Sequence, residues 1–134
     1  MDPFPLTALR PVFRAAAVAF VPALEPASPA TWEAVERTVA GALGARPAGV
    51  TRQLGLFLRV LDGAARLRHG RSLAGLDLPT RVRLLERFER APILSVRRGI
   101  WGLRTLVFMG YYTQEPVIAA LGYRASPAGW SARR

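Results

Sequence analysis

His69 is the only histidine in the chain and cysteine is absent, so metal sites built from several imidazoles, thiolate ligands and thiol nucleophiles are excluded. His69 sits in Arg68-His69-Gly70-Arg71, where it reads as the polar end of a helix before a glycine cap. The hydroxyls of Ser28, Ser72, Ser95, Ser126 and Ser131 have no base close to them in sequence. Glu86 and Glu89 are spaced as a carboxylate pair on one helix, but arginine adjoins each, so they read as solvated ion-pair partners rather than a general acid and base. Gly99, Gly102 and Gly110 fall inside a helical pattern with no strand before them, which removes a phosphate-cradling loop. The chemistry left is recognition, and the expectation is a chain that is not an enzyme and holds no cofactor or metal of its own.

Charge gives that recognition a sign. All 19 basic residues are arginine, and against 9 acids they leave a formal net charge of +10. Residues 1–50 are balanced, whereas residues 51–134 carry fifteen arginines and five acids. A basic face on the later helices would suit an acidic partner. Hydrophobic residues at 51% and charged residues at 21% of 134 suit one folded domain, 1–134, that also covers apolar surface with a partner. The longest charge-free stretches, Ala15 to Leu24 and Thr105 to Gln114, are about half of the ~20 residues that cross a bilayer, so no transmembrane segment is expected.

The elements that must position these residues are helical almost throughout, and the class is all-α, a bundle of about six helices. Thr7 is placed to cap a first helix reaching Val21, with Pro11 in its first turn. Arg10 and Arg14 before AAAVAFVPAL also have the look of a short signal peptide, although Leu9, Val12, Phe13, Ala16 and Phe20 recur at helical spacing. Ser28-Pro29 opens a second helix that buries Trp32, Val35, Val39 and Leu43 and pairs Glu33 with Arg37. A third runs from Val50 to His69, with Leu54, Phe57, Leu58, Leu61 and Ala65 inward and Arg52, Arg59 and Arg66 outward. Asp77 caps a fourth, with Val82, Leu85 and Phe88 inward and Arg83, Arg87 and Arg90 outward; Arg83 and Arg87 repel across one turn.

The fifth helix, from Pro92 to Tyr112, is long and apolar all round, with Arg104 alone interrupting GIWGLRTLVFMGYY. Such a helix is either a central helix wrapped by the others or one completed by a partner. Trp101 and Phe108, seven apart on one stripe, read as core or as interface anchors, the core reading coming first. Tyr111, Tyr112 and Tyr123 suit an interface better, because a phenol can bury its ring and keep one hydrogen bond. Gly110 either ends the helix or lets a partner backbone approach. A short sixth helix is expected at 116–121, and residues 124–134 read as an exposed, flexible basic tail.

From Gly99 onward the order Leu103-Arg104, Thr105-Leu106, Gly110-Tyr111-Tyr112-Thr113, Pro116 and Leu121-Gly122-Tyr123 resembles the C-terminal signature of the gluconate 2-dehydrogenase subunit 3 family. That family includes the gamma subunit of FAD-dependent glucose and glucoside dehydrogenases. The diagnostic part covers about thirty residues, and the Arg83 to Phe88 helix and a proline-rich N-terminal stretch agree more loosely. The resemblance implies a non-catalytic helical subunit that binds, stabilises and helps mature a large flavoprotein of the glucose–methanol–choline type. The FAD and a sugar or other alcohol substrate belong to that partner, and a cytochrome can join the complex. On these residues the expected partner interface is Trp101, Arg104, Phe108, Gly110, Tyr111, Tyr112 and Tyr123. The chain departs from the family by lacking the twin-arginine export signal some members carry and any cysteine for an intersubunit disulfide. A cytoplasmic location is therefore favoured, with a periplasmic or membrane-associated complex as the alternative.

Two other readings stay open. The basic half with interleaved aromatics suits a nucleic-acid binder, although the Gly70 to Asp77 connection is too long for a helix-turn-helix. Phe4, Leu6 and Leu9 beside Arg10 and Arg14 suit a membrane-surface protein, although that helix has small alanines where a lysine-rich face is usual.

Overall fold

Ser28 and Asp77 start two of the helices in the same way. The Ser28 hydroxyl accepts the Thr31 N–H at 3.3 Å and the Asp77 carboxylate accepts the Thr80 N–H at 3.2 Å. Pro29 and Pro79 follow in the first turn, where no intrahelical donor is lost. The computed structural model describes residues 4–114. Over that span it is all-helical: α1 (Arg10–Phe20), α2 (Pro29–Gly44), α3 (Ala48–His69), α4 (Leu78–Glu89) and α5 (Leu94–Tyr112). Short 3-10 turns at Thr7–Leu9, Pro22–Leu24 and Leu73–Gly75 join or precede them. Among the described residues there are thus five α-helices and no strand; the sixth helix expected at 116–121 lies outside them.

The first helix starts two residues later than the sequence suggests, with Leu9 rather than Thr7 at its N-cap. A helix capped by Thr7 would need the N–H of residue 11 to reach the Thr7 carbonyl, and Pro11 has none. Residues 7–9 close a 3-10 turn in its place, the Arg10 N–H takes the Thr7 carbonyl, and Thr7 makes no side-chain capping bond. At its other end the third helix stops as its sequence demands. Gly70 adopts φ 71°, the left-handed conformation that costs glycine least, and its N–H reaches the Arg66 carbonyl. Arg66, Arg68 and His69 occupy that last turn, where positive charge offsets the helix dipole.

The most enclosed helix is α1. Six of its eleven residues are buried, among them Phe13, Ala16 and Ala17, and the small alanines let neighbouring helices come close. It meets α3, α4 and α5, while α5 lies chiefly along α2 and α4. Five of the nineteen residues of α5 are buried, all on one side, so among the described residues the other helices do not wrap it. The core joins Val35 and Val39 of α2, Leu58 and Leu61 of α3, Leu84 and Leu85 of α4, and Ile100, Leu103 and Val107 of α5 to the α1 residues.

Polar ties fix these helices. Glu36, buried on α2, accepts Nε–H bonds from Arg10 at 3.0 Å and Arg14 at 2.8 Å. The Arg14 guanidinium also lies 4.9 Å from the Trp32 ring centroid. Arg81 donates to the carbonyls of Leu73, Ala15 and Leu76, holding the 73–75 turn and α1 to α4, and its burial lowers its pKa. Asp62 accepts the Leu73 N–H at 2.9 Å, which closes the connection between α3 and α4.

Candidate partner interface

Two glycines decide which side of α5 faces its own chain. A Cβ on Gly110 would lie 3.0 Å from the Val35 carbonyl oxygen of α2, and one on Gly99 would lie 2.5 Å from the Phe57 ring of α3. Those approaches rotate Ile100, Leu103, Leu106 and Val107 into the core. Arg104 is held at the side, donating to Glu89 of α4 at 2.8 Å. Leu94, Trp101, Phe108 and Tyr112, spaced seven, seven and four residues apart, fall on the opposite face and are 46%, 46%, 38% and 41% exposed. Four large apolar side chains in one line on one helix make an unpartnered face rather than scattered surface residues.

At the C-terminal end of that face the rings form a connected group. Phe108 and Tyr112 meet edge to face with centroids 5.6 Å apart, and Tyr111 and Tyr112 do so at 5.0 Å. Each ring limits the rotamers of the next, so the group presents a preformed surface with little side-chain entropy left to lose on binding.

The residues singled out from sequence are therefore sorted by the fold. Trp101 and Phe108 are not core: both stand on the open face with Tyr112, because the close approaches of Gly99 and Gly110 turn the other side of α5 inward, and Tyr111 is half-buried at the edge. Gly110 is buried against α2 and the helix continues past it, so it neither ends α5 nor opens to an outside backbone. Arg104 is engaged with Glu89 within the chain, and of the Glu86–Glu89 pair Glu89 alone makes an ion pair among the described residues. Tyr123 lies outside the described residues. Leu94 joins this face as well, and its seven-residue offset from Trp101 is the signal for it in the sequence.

Other surfaces are accounted for differently. Phe4 is buried against Phe13, and Leu6 and Leu9 cover Gly55 of α3, so the apolar N-terminal residues close the fold rather than lie free for a membrane. Among the described residues no helix is long and apolar enough to cross a membrane. Leu56, Val60 and Leu67 form a second exposed apolar row along α3. His69 is exposed, and among the described residues no group of His, Asp and Glu is arranged to hold a metal ion. Comparison with family models, with curated proteins and with solved structures found no match to this chain.

Proposed function

We propose that this chain is a non-catalytic accessory subunit that binds and stabilises a large FAD-dependent dehydrogenase of the glucose–methanol–choline type, with the flavin and the alcohol or sugar chemistry on the partner. The observation that carries the reading is the open face of α5, where Trp101, Phe108 and Tyr112 stand exposed on a helix whose other side is packed on its own chain. Aromatic side chains of this kind dominate binding energy at interfaces, since each buries a large area and has few rotamers to lose. The same three residues belong to the stretch whose order resembles subunit 3 of gluconate 2-dehydrogenase, so a physical and a sequence argument meet on one helix.

The test is co-purification. A tagged copy expressed in its native host and purified at physiological salt is expected to bring a larger chain with flavin absorbance. A chain recovered alone and colourless would contradict the proposal.

A further inference from the structure

The last turn of α3 and the outer face of α4 enclose an open groove of about 580 Å³. Arg68 and His69 line one wall, and Arg83, Arg87 and Arg90 line the other. Leu84, Ala91 and Pro92 supply an apolar floor. Arg83 donates to the Thr80 hydroxyl at 3.3 Å, whereas the guanidinium groups of Arg68, Arg87 and Arg90 have no hydrogen-bond or ion-pair partner among the described residues. Glu86 is the one carboxylate in the lining, against four guanidinium groups. Like charges one turn apart repel, and within the lining Glu86 alone offsets them.

We propose that this groove binds an extended acidic peptide segment whose carboxylates recur about every third residue. The guanidinium fork matches a carboxylate through two parallel hydrogen bonds, so each exposed arginine is a ready partner. From Arg83 to Arg90 the α4 stripe spans about 10 Å at 1.5 Å per residue. One phosphate or carboxylate cannot bridge that distance, but side chains three residues apart on an extended backbone can, at about 3.1 to 3.4 Å per residue. The apolar floor gives the intervening side chains a surface to cover. Single-stranded nucleic acid is the poorer fit because the lining holds no Phe, Tyr or Trp to stack successive bases, and His69 is its one ring. The inference goes beyond the accessory-subunit reading and does not depend on it, since it rests on the groove alone.

The test uses the full chain and a fluorescein-labelled peptide of Glu-Pro-Pro repeats, which forms a left-handed extended helix with every glutamate on one side. Anisotropy at physiological salt is expected to show binding that a matched Gln-Pro-Pro peptide lacks. The double variant Arg83→Gln/Arg87→Gln is expected to weaken it about tenfold or more. Arg52→Gln/Arg59→Gln, which removes the same charge from the exposed face of α3, is expected to change it less than about twofold. Ala91→Trp, which fills the floor without altering charge, is expected to weaken it as well. Equal weakening by both arginine pairs would show diffuse attraction and overturn the proposal. So would binding unaffected by Ala91→Trp, displacement by millimolar inorganic phosphate, or a preference for polyuridylic acid over the peptide.

Discussion

Arg14 on α1 donates its Nε–H to Glu36 on α2 at 2.8 Å, and the carboxylate it reaches is buried while the guanidinium is partly exposed. That asymmetry sets an order of costs. Glu36→Gln leaves Arg10 and Arg14 able to turn to water and is expected to cost about 1.5 kcal/mol, the value of a charge-assisted hydrogen bond. Arg10→Gln with Arg14→Gln strands a buried carboxylate and is expected to cost more, about 3 kcal/mol. Urea unfolding of the two variants checks the order, and a larger loss for Glu36→Gln would contradict it.

Glycine substitutions on α5 are expected to differ in sign. Gly110→Ala sets a methyl group 3.0 Å from a backbone oxygen of α2, which cannot move aside as a side-chain end can, so overpacking of about 1–3 kcal/mol outweighs the gain in helix propensity. Gly102→Ala meets nothing within 4 Å and is expected to stabilise by about 1 kcal/mol. Denaturation midpoints of the two variants measure this directly. Equal shifts in one direction would show that α5 does not sit against α2 at Gly110.

Much of this architecture is legible in local sequence. Ser28 and Asp77 are recognisable caps because a capping bond spans three residues and proline follows within two. Gly70 marks the end of α3 for a similarly local reason. The Glu36 clamp is not legible, because its arginines lie 22 and 26 residues away and nothing in either segment specifies the other. Nor does GIWGLRTLVFMGYY reveal which side of α5 is covered, since apolar residues surround the helix. The contacts of Gly99 with Phe57 and of Gly110 with Val35 decide it, and those are tertiary facts. Gly110 suggests a close approach from sequence, but not whether the approaching backbone belongs to the same chain.

The Asp77 cap carries a pH dependence of definite sign. Hydrogen bonds from the Thr80 hydroxyl and backbone N–H hold its carboxyl below the ordinary aspartate value. A depressed folded pKa contributes stability that is complete above the unfolded value of about 3.9 and is lost as the pH falls through the lower folded value. The gap in melting temperature between the wild type and Asp77→Ala is therefore expected to be widest near neutrality and to narrow towards about pH 3. A gap that widens in acid would contradict the capping geometry.

Side chains on the open face of α5 are expected to matter less to the lone chain than core rings do. Trp101→Ser and Phe108→Ser remove rings that are 46% and 38% exposed, so each loses part of its packing and is expected to cost about 1 kcal/mol. That is well below the cost of losing a core ring, about 3–5 kcal/mol. Arg104→Ala, which removes the 2.8 Å tie to Glu89, is expected to loosen α4 from α5 in the isolated protein. Hydrogen exchange along α4 separates the two cases: faster in Arg104→Ala, unchanged in the ring variants.

The most direct test of the central claim is the amount of flavin that co-purifies with tagged wild type and with the Trp101→Ser/Phe108→Ser double variant from the native host. With the variant shown to be folded by its unfolding transition, flavin absorbance is expected with the wild type and nearly absent with the variant. Equal flavin recovery with both chains would contradict the assignment of the interface to the open face of α5.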